Sequence, residues 1–246
     1  MRSLIGFDCS GVPLLGTLDA AAGTTGILIV SGGNEVRVGT HRGMAMLAQD
    51  LASRGLPVFR FDRRGIGDSA GDNGGWESSG PDIAAAASAF RHEQSQLTRI
   101  VGLGNCDAAT ALARFGAEAG LDAAILTNPW LGDDHAPPPA AALRRHYARR
   151  LLDPAAWRKL LTRGLRKGTL ADLRGKRELP LASDWTYSLP ATVILASGDR
   201  TAQLFDHALR ATFAGIRLVE LPTASHSFAD AADALADAVH AAALTT

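Results

Sequence analysis

The sequence predicts an α/β protein built on a mainly parallel sheet with helices on both faces. Three observations carry that prediction. From residue 26 onward, short apolar runs alternate with alanine-rich stretches, the succession of strand and helix that a parallel sheet requires. The 246 residues are 46% hydrophobic, enough for one sizeable core. Small residues also flank Cys106 on both sides, between the apolar run Ile100–Leu103 and the stretch that follows, as in a strand that turns at once into a helix.

In chain order, Ser3–Asp8 and Leu14–Leu18 read as an antiparallel hairpin at the sheet edge, separated by Cys9-Ser10-Gly11-Val12-Pro13. Strands are then expected at Gly26–Val30, Pro57–Phe61, Arg99–Leu103, Ala123–Thr127, Ala191–Ala196 and Arg217–Leu221. Helices over Arg42–Arg54, Pro81–Gln94, Asp107–Ala119, Ala202–Phe213 and Ala229–Ala242 fill the intervals. Residues 133–185 break the alternation. They open with Asp133-Asp134 and three prolines and continue as two amphipathic helices. The second starts at Asp153-Pro154, an N-cap followed by proline at the first helical position, and its apolar face is Trp157, Leu160, Leu161 and Leu165. The expected organisation is therefore a core of residues 1–132 and 186–246 with a helical cap, 133–185, inserted between two strands.

Charge is balanced overall, 25 basic against 25 acidic residues, so no global field favours nucleic acid or an anionic membrane. The cap is lopsided, with 12 basic and 6 acidic residues. A basic lid fits an anionic substrate, acyl carrier or polymer; the same charges also read as solvated helix faces. Asp8 and Gly11-Val12-Pro13 interrupt any signal-peptide core, and the apolar runs fall short of the roughly 18 residues of a membrane span. Two distant cysteines, Cys9 and Cys106, do not make a secreted disulfide framework, so a reducing cytoplasm fits better. No paired Cys or His spacing suggests a metal, no cofactor is implied, and oligomeric state is not legible.

The chemistry centres on Gly104-Asn105-Cys106-Asp107-Ala108. A strand running straight into a helix brings the backbone two residues before and two after the turn together, which requires small side chains at 104 and 108. A cysteine there stands at a helix N-terminus that favours negative charge, and the amide of Asp107 points where an oxyanion would form. The competing reading is a small buried filler, since free cysteine is among the most buried residue types. Two later residues bear on the choice. Asp199 follows a strand in the turn Ser197-Gly198-Asp199-Arg200, and His226 follows the last strand in Thr223-Ala224-Ser225-His226. His226 would exchange a proton with the thiol and the leaving group, and Asp199 would orient the imidazole and stabilise its charged form. Taken singly, each is also an ordinary turn carboxylate or loop histidine. Asp133 is the alternative acid. After Gly26–Val30, the loop Ser31-Gly32-Gly33-Asn34-Glu35 lets backbone approach a ligand, so Gly33 or Asn34 is the expected second oxyanion donor and Glu35 a candidate auxiliary group for the thiol.

The cysteine turn, the Gly32-Gly33-Asn34 loop, the stretch Asp62-Arg63-Arg64-Gly65-Ile66-Gly67-Asp68-Ser69 and His226 together resemble the α/β-hydrolase superfamily, which pairs an elbow nucleophile with an acid and a histidine in this chain order. The resemblance implies the α/β-hydrolase fold. More narrowly, Arg37-Val38-Gly39-Thr40-His41-Arg42, Asn128-Pro129-Trp130 and Trp157-Arg158-Lys159-Leu160-Leu161 resemble the exosortase A system-associated hydrolases, type 1, a likeness that implies a setting of exopolysaccharide production and protein sorting but no defined substrate. The cysteine elbow is also similar to that of dienelactone hydrolases, which open activated lactones. The chain departs from the commoner pattern in having cysteine rather than serine at 106 and Ser31-Gly32 where many relatives have His-Gly. The expected function is hydrolysis of an activated ester, thioester or lactone through an acyl-cysteine, with a small-molecule acyl substrate. The alternatives are acyl transfer to a sugar or polymer hydroxyl, and a non-catalytic binding protein on the same fold.

Overall fold

Strand β1 (Arg2–Cys9) buries alternate residues, as an edge strand with one solvated face does, and pairs antiparallel with β2 (Val12–Asp19). The computed structural model describes residues 1–131, 189–209 and 216–245. Within them β3 (Thr25–Val30), β4 (Val58–Phe61), β5 (Arg99–Asn105), β6 (Ala123–Thr127), β7 (Ala191–Ala196) and β8 (Arg217–Leu221) complete one sheet in the order β1-β2-β4-β3-β5-β6-β7-β8. From β4 to β8 every pairing is parallel, and only β1 and β2 run against their neighbours. The mainly parallel sheet and its edge hairpin are as expected from the alternation. The cap segment and Asp133 lie outside the described residues.

Period-two alternation sorts the fully buried strands into two cores. On β3, Leu28 and Val30 pack on one face with Phe59, Phe61 and Phe90, joined by α2 (Gly80–Glu93) and α3 (Asp107–Phe115). Ile27 and Ile29 pack on the other face with Leu51 and Val239, joined by α1 (Gly43–Ser53) and the last helix. Helix α4 (Arg200–Leu209) follows β7, and α5 (Ala232–Thr245) closes the chain. Among the described residues, no helix is long and apolar enough to cross a membrane.

Several helix ends differ from expectation for local reasons. Helix α1 begins at Gly43 because Arg42 is left-handed at φ 62°. Helix α3 stops at Phe115 rather than Ala119, in a stretch weakened by Gly116 and Gly120, and the turn is closed by the Leu121 amide on the Gly116 carbonyl. Helix α5 starts at Ala232 rather than Ala229, since Phe228 has φ 56° and the preceding residues form turns. Cys9 is a buried free thiol, donating to Asp82 and accepting from Arg64; burial raises its pKa.

One topological fact positions the site. From β3 the chain moves to β4 on one side and then returns to β5 on the other. The carboxyl ends of β3 and β5 therefore diverge at a switch point, where open parallel sheets leave a crevice.

Candidate active site

Strand β5 ends at Asn105 and α3 begins at Asp107, leaving Cys106 alone on the turn with φ 59° and ψ −125°. A non-glycine residue there carries strain of about 1–3 kcal/mol, held by the surrounding structure. The holding contacts are visible. The Cys106 amide donates to the Thr127 carbonyl at 3.0 Å, and the Cys106 carbonyl accepts from the amides of Ala109 and Trp130 at 3.1 and 3.2 Å. A Cβ on Gly104 would lie 2.8 Å from the backbone of Ala108, the close approach anticipated from the small residues. Cys106 is partly exposed, unlike Cys9.

His226 and Asp199 meet. Imidazole Nδ1 lies 3.1 Å from Asp199 Oδ2, and the same carboxylate oxygen accepts from the Ala202 amide at 3.0 Å in the first turn of α4. Asp199 is buried whereas the His226 side chain is 40% exposed. Cys106 acts electrostatically on the same ring. Its bond to Asp199, followed by the influence of Cys106, outweighs the desolvation of the imidazole and pushes the His226 pKa from 6.5 up to about 10. The ring is a cation at neutral pH. Its loop is tied down by Ser225 and Thr223: the Ala229 amide donates to Ser225 Oγ, the Ser225 amide to Thr223 Oγ1, and Thr223 Oγ1 to Asp230.

The loop after β3 is arranged differently from expectation. The Gly33 amide is already engaged, donating to Asp107 Oδ1 at 2.7 Å. A Cβ on Gly32 would fall 2.6 Å from that same carboxylate oxygen and from the Asn105 carbonyl, so the loop is closed tightly against the turn. The Gly33 carbonyl in turn accepts from the buried Arg63 guanidinium, which also donates to Ser79 Oγ. Desolvation lowers the pKa of Arg63, and the nearby Asp107 carboxylate opposes that. Asn34 is exposed, its side-chain carbonyl accepting from Asn73. Glu35 accepts from Thr40 Oγ1 within its own loop. The stretch Asp62–Ser69 acts as scaffold beneath: Asp62 takes Arg37 and the Asp68 amide, and Ser69 Oγ links the Asp62 carbonyl to the Leu15 amide.

Three contributors escape inspection of the sequence. Asn128 is fully buried with φ 41°, its Nδ2 on the His226 carbonyl and its Oδ1 on the Ala196 amide. Asn105 also donates to the His226 carbonyl and accepts from Thr127 Oγ1. Arg63 braces the Gly33 peptide. Only Asn128 left a signal, a polar residue with a taste for left-handed backbone directly after an apolar strand. Among the described residues, no group of three or more His, Cys, Asp or Glu side chains converges as a metal site would.

A family model described as the alpha/beta hydrolase family matches residues 27–238, the span from β3 into the last helix. The chain belongs to the alpha/beta hydrolase family. No curated protein matches it. Solved alpha/beta structures resemble it along nearly its whole length. An esterase from Pyrococcus furiosus superposes with a TM-score of 0.66 at 14% identity, covering 98% of this chain and 89% of that one. An α/β serine hydrolase without a lid from Xanthomonas campestris gives 0.64 at 18% identity over 98% and 93%. A Pseudomonas aeruginosa hydrolase gives 0.60 at 24% identity over 100% and 98%. At these identities the likeness is one of fold.

Proposed function

We propose that this alpha/beta hydrolase cleaves activated acyl compounds, meaning esters, thioesters or lactones, through an acyl-Cys106 intermediate. The observation that carries the reading is one imidazole shared between a carboxylate and a thiol on a strained turn: His226 bonds Asp199 and interacts with Cys106. The membership of the family and the esterase among its structural neighbours support the reaction class.

A His226 held as imidazolium pairs with the Cys106 thiolate, which attacks the acyl carbonyl, while the imidazolium gives its proton to the departing alkoxide or thiolate. The negative carbonyl oxygen forms beside the Asp107 amide, one of the N-terminal amides that a helix leaves without an internal partner. Acylation consumes the thiolate and with it one of the contributions that raise the His226 pKa. The ring, having given its proton to the leaving group, is then neutral and free to act as the base. It takes a proton from water, hydroxide adds to the thioester, and collapse releases the acid and restores the thiolate–imidazolium pair. Because a thiolate is a good leaving group, attack on an unactivated amide tends to revert, which directs the site away from peptides. In a setting of exopolysaccharide production, which the resemblance to exosortase-associated hydrolases implies, a sugar hydroxyl in place of water would make the same intermediate a transfer step.

The test is to expose the protein to a panel of aryl esters, thioesters and lactones, following the burst and the mass of the adduct. A single acyl group on the Cys106 peptide is expected, absent from Cys106→Ala. An adduct forming at the same rate in that variant would overturn the assignment, and added sugar acceptors separate hydrolysis from transfer.

A further inference from the structure

The His226 backbone carbonyl is where three parts of the site converge. It accepts from Asn128 Nδ2 at 3.0 Å and from Asn105 Nδ2, on the residue before Cys106, at 3.3 Å. The other end of the Asn128 amide accepts from the Ala196 amide at 2.8 Å, and the Ala196 carbonyl receives the Asp199 amide at 2.9 Å. Each of the three groups, Cys106, His226 and Asp199, is thus linked by short bonds to this junction.

We propose that Asn128 is a positioning residue, its carboxamide clamping the His226 loop to the end of β7 so that the imidazole is held between Asp199 and Cys106. The assignment rests on reading Cys106 and His226 as a reactive pair. Three features support it. Asn128 is fully buried, and only one orientation of its amide satisfies a carbonyl on one side and an N–H on the other. Its backbone sits at φ 41°, a region asparagine tolerates better than most residues. Its own amide continues the ladder to the Ile194 carbonyl, so the side chain projects from a fixed point on the sheet. Asparagine alone among the small side chains combines that backbone with a donor and an acceptor set opposite each other.

The experiment uses Asn128→Gly, which keeps the left-handed backbone and deletes the amide, and Asn128→Asp, which keeps an acceptor for Ala196 but has no donor for His226. Two readouts do not depend on turnover: the pH profile of Cys106 alkylation by iodoacetamide, and the titration of the His226 ring by NMR, assigned by its loss in His226→Ala. In both variants alkylation at neutral pH is expected to slow by tenfold or more. In Asn128→Gly the ring midpoint is expected to fall from about 10 toward 6.5. Acylation should lose kcat with KM little changed. Wild-type alkylation and titration in Asn128→Gly overturn the clamp, and if that variant does not fold, a wild-type alkylation profile in Asn128→Asp overturns it. A parent protein that shows the high midpoint and reactive thiol but forms no acyl adduct sinks the hydrolase reading and leaves the clamp standing.

Discussion

Asp107 serves two ends that conflict. As the first residue of α3 its amide is the oxyanion donor proposed for the elbow, while its carboxylate occupies the Gly33 amide, the partner expected to supply the second donor. A carboxylate is well placed for its own stability there, at a helix N-terminus and with Arg63 close by. It is badly placed for an oxyanion, since like charges in a partly desolvated site repel. Asp107→Ala frees the Gly33 amide and removes that repulsion, so single-turnover acylation is expected to rise about tenfold, a fraction of the hundredfold or more that one oxyanion donor contributes in other enzymes. A rate that falls instead would show that the carboxylate acts by ordering the loop. The conflict is invisible in the sequence, where Asp107 reads only as an acidic residue suited to a first helical turn.

At the scale of elements, the strand–turn–helix unit of β5, Cys106 and α3 is tightly constrained. Gly104 faces the backbone of Ala108 and Ala109 at distances no side chain fits. Gly104→Val forces the two elements apart, with a loss of stability of about 2–4 kcal/mol seen as a lower melting temperature, and acyl-adduct formation should be lost with it. This unit was legible in the sequence because its determinants are local: a β-rich apolar run, small residues at fixed spacing and a helix-forming stretch. Helix ends were less legible. The left-handed backbone at Arg42 and Phe228, which delays α1 and α5, belongs to residues with no special preference for it. The tertiary contacts of those loops impose it.

The whole molecule feels the site through its protons. The surroundings of His226 push its pKa from 6.5 up to about 10, so this group holds its proton in the folded chain across an interval in which the unfolded chain releases it. Stability from this group is fully present below about 6.5 and is lost as pH rises through about 10. The melting temperature is therefore expected to decline from pH 6.5 to 10, and Asp199→Asn, which removes the largest cause of the raised pKa, should flatten the decline. An unchanged slope in that variant would mean that other groups set the alkaline limit.

Composition and periodicity alone determined the sheet, its edge hairpin and the strand ends on which Cys106, Asp199 and His226 lie, because burial on two faces leaves a period that the chain must display. What only the tertiary structure decided is how those ends are joined. The occupation of the Gly33 amide by Asp107, the bracing of that peptide by Arg63 and the clamp of Asn128 on His226 link residues 74, 30 and 98 positions apart. Hydrogen bonds at such separations depend on the sheet order that brings β3, β5, β6 and β7 side by side, and no local pattern records which donor will find which acceptor.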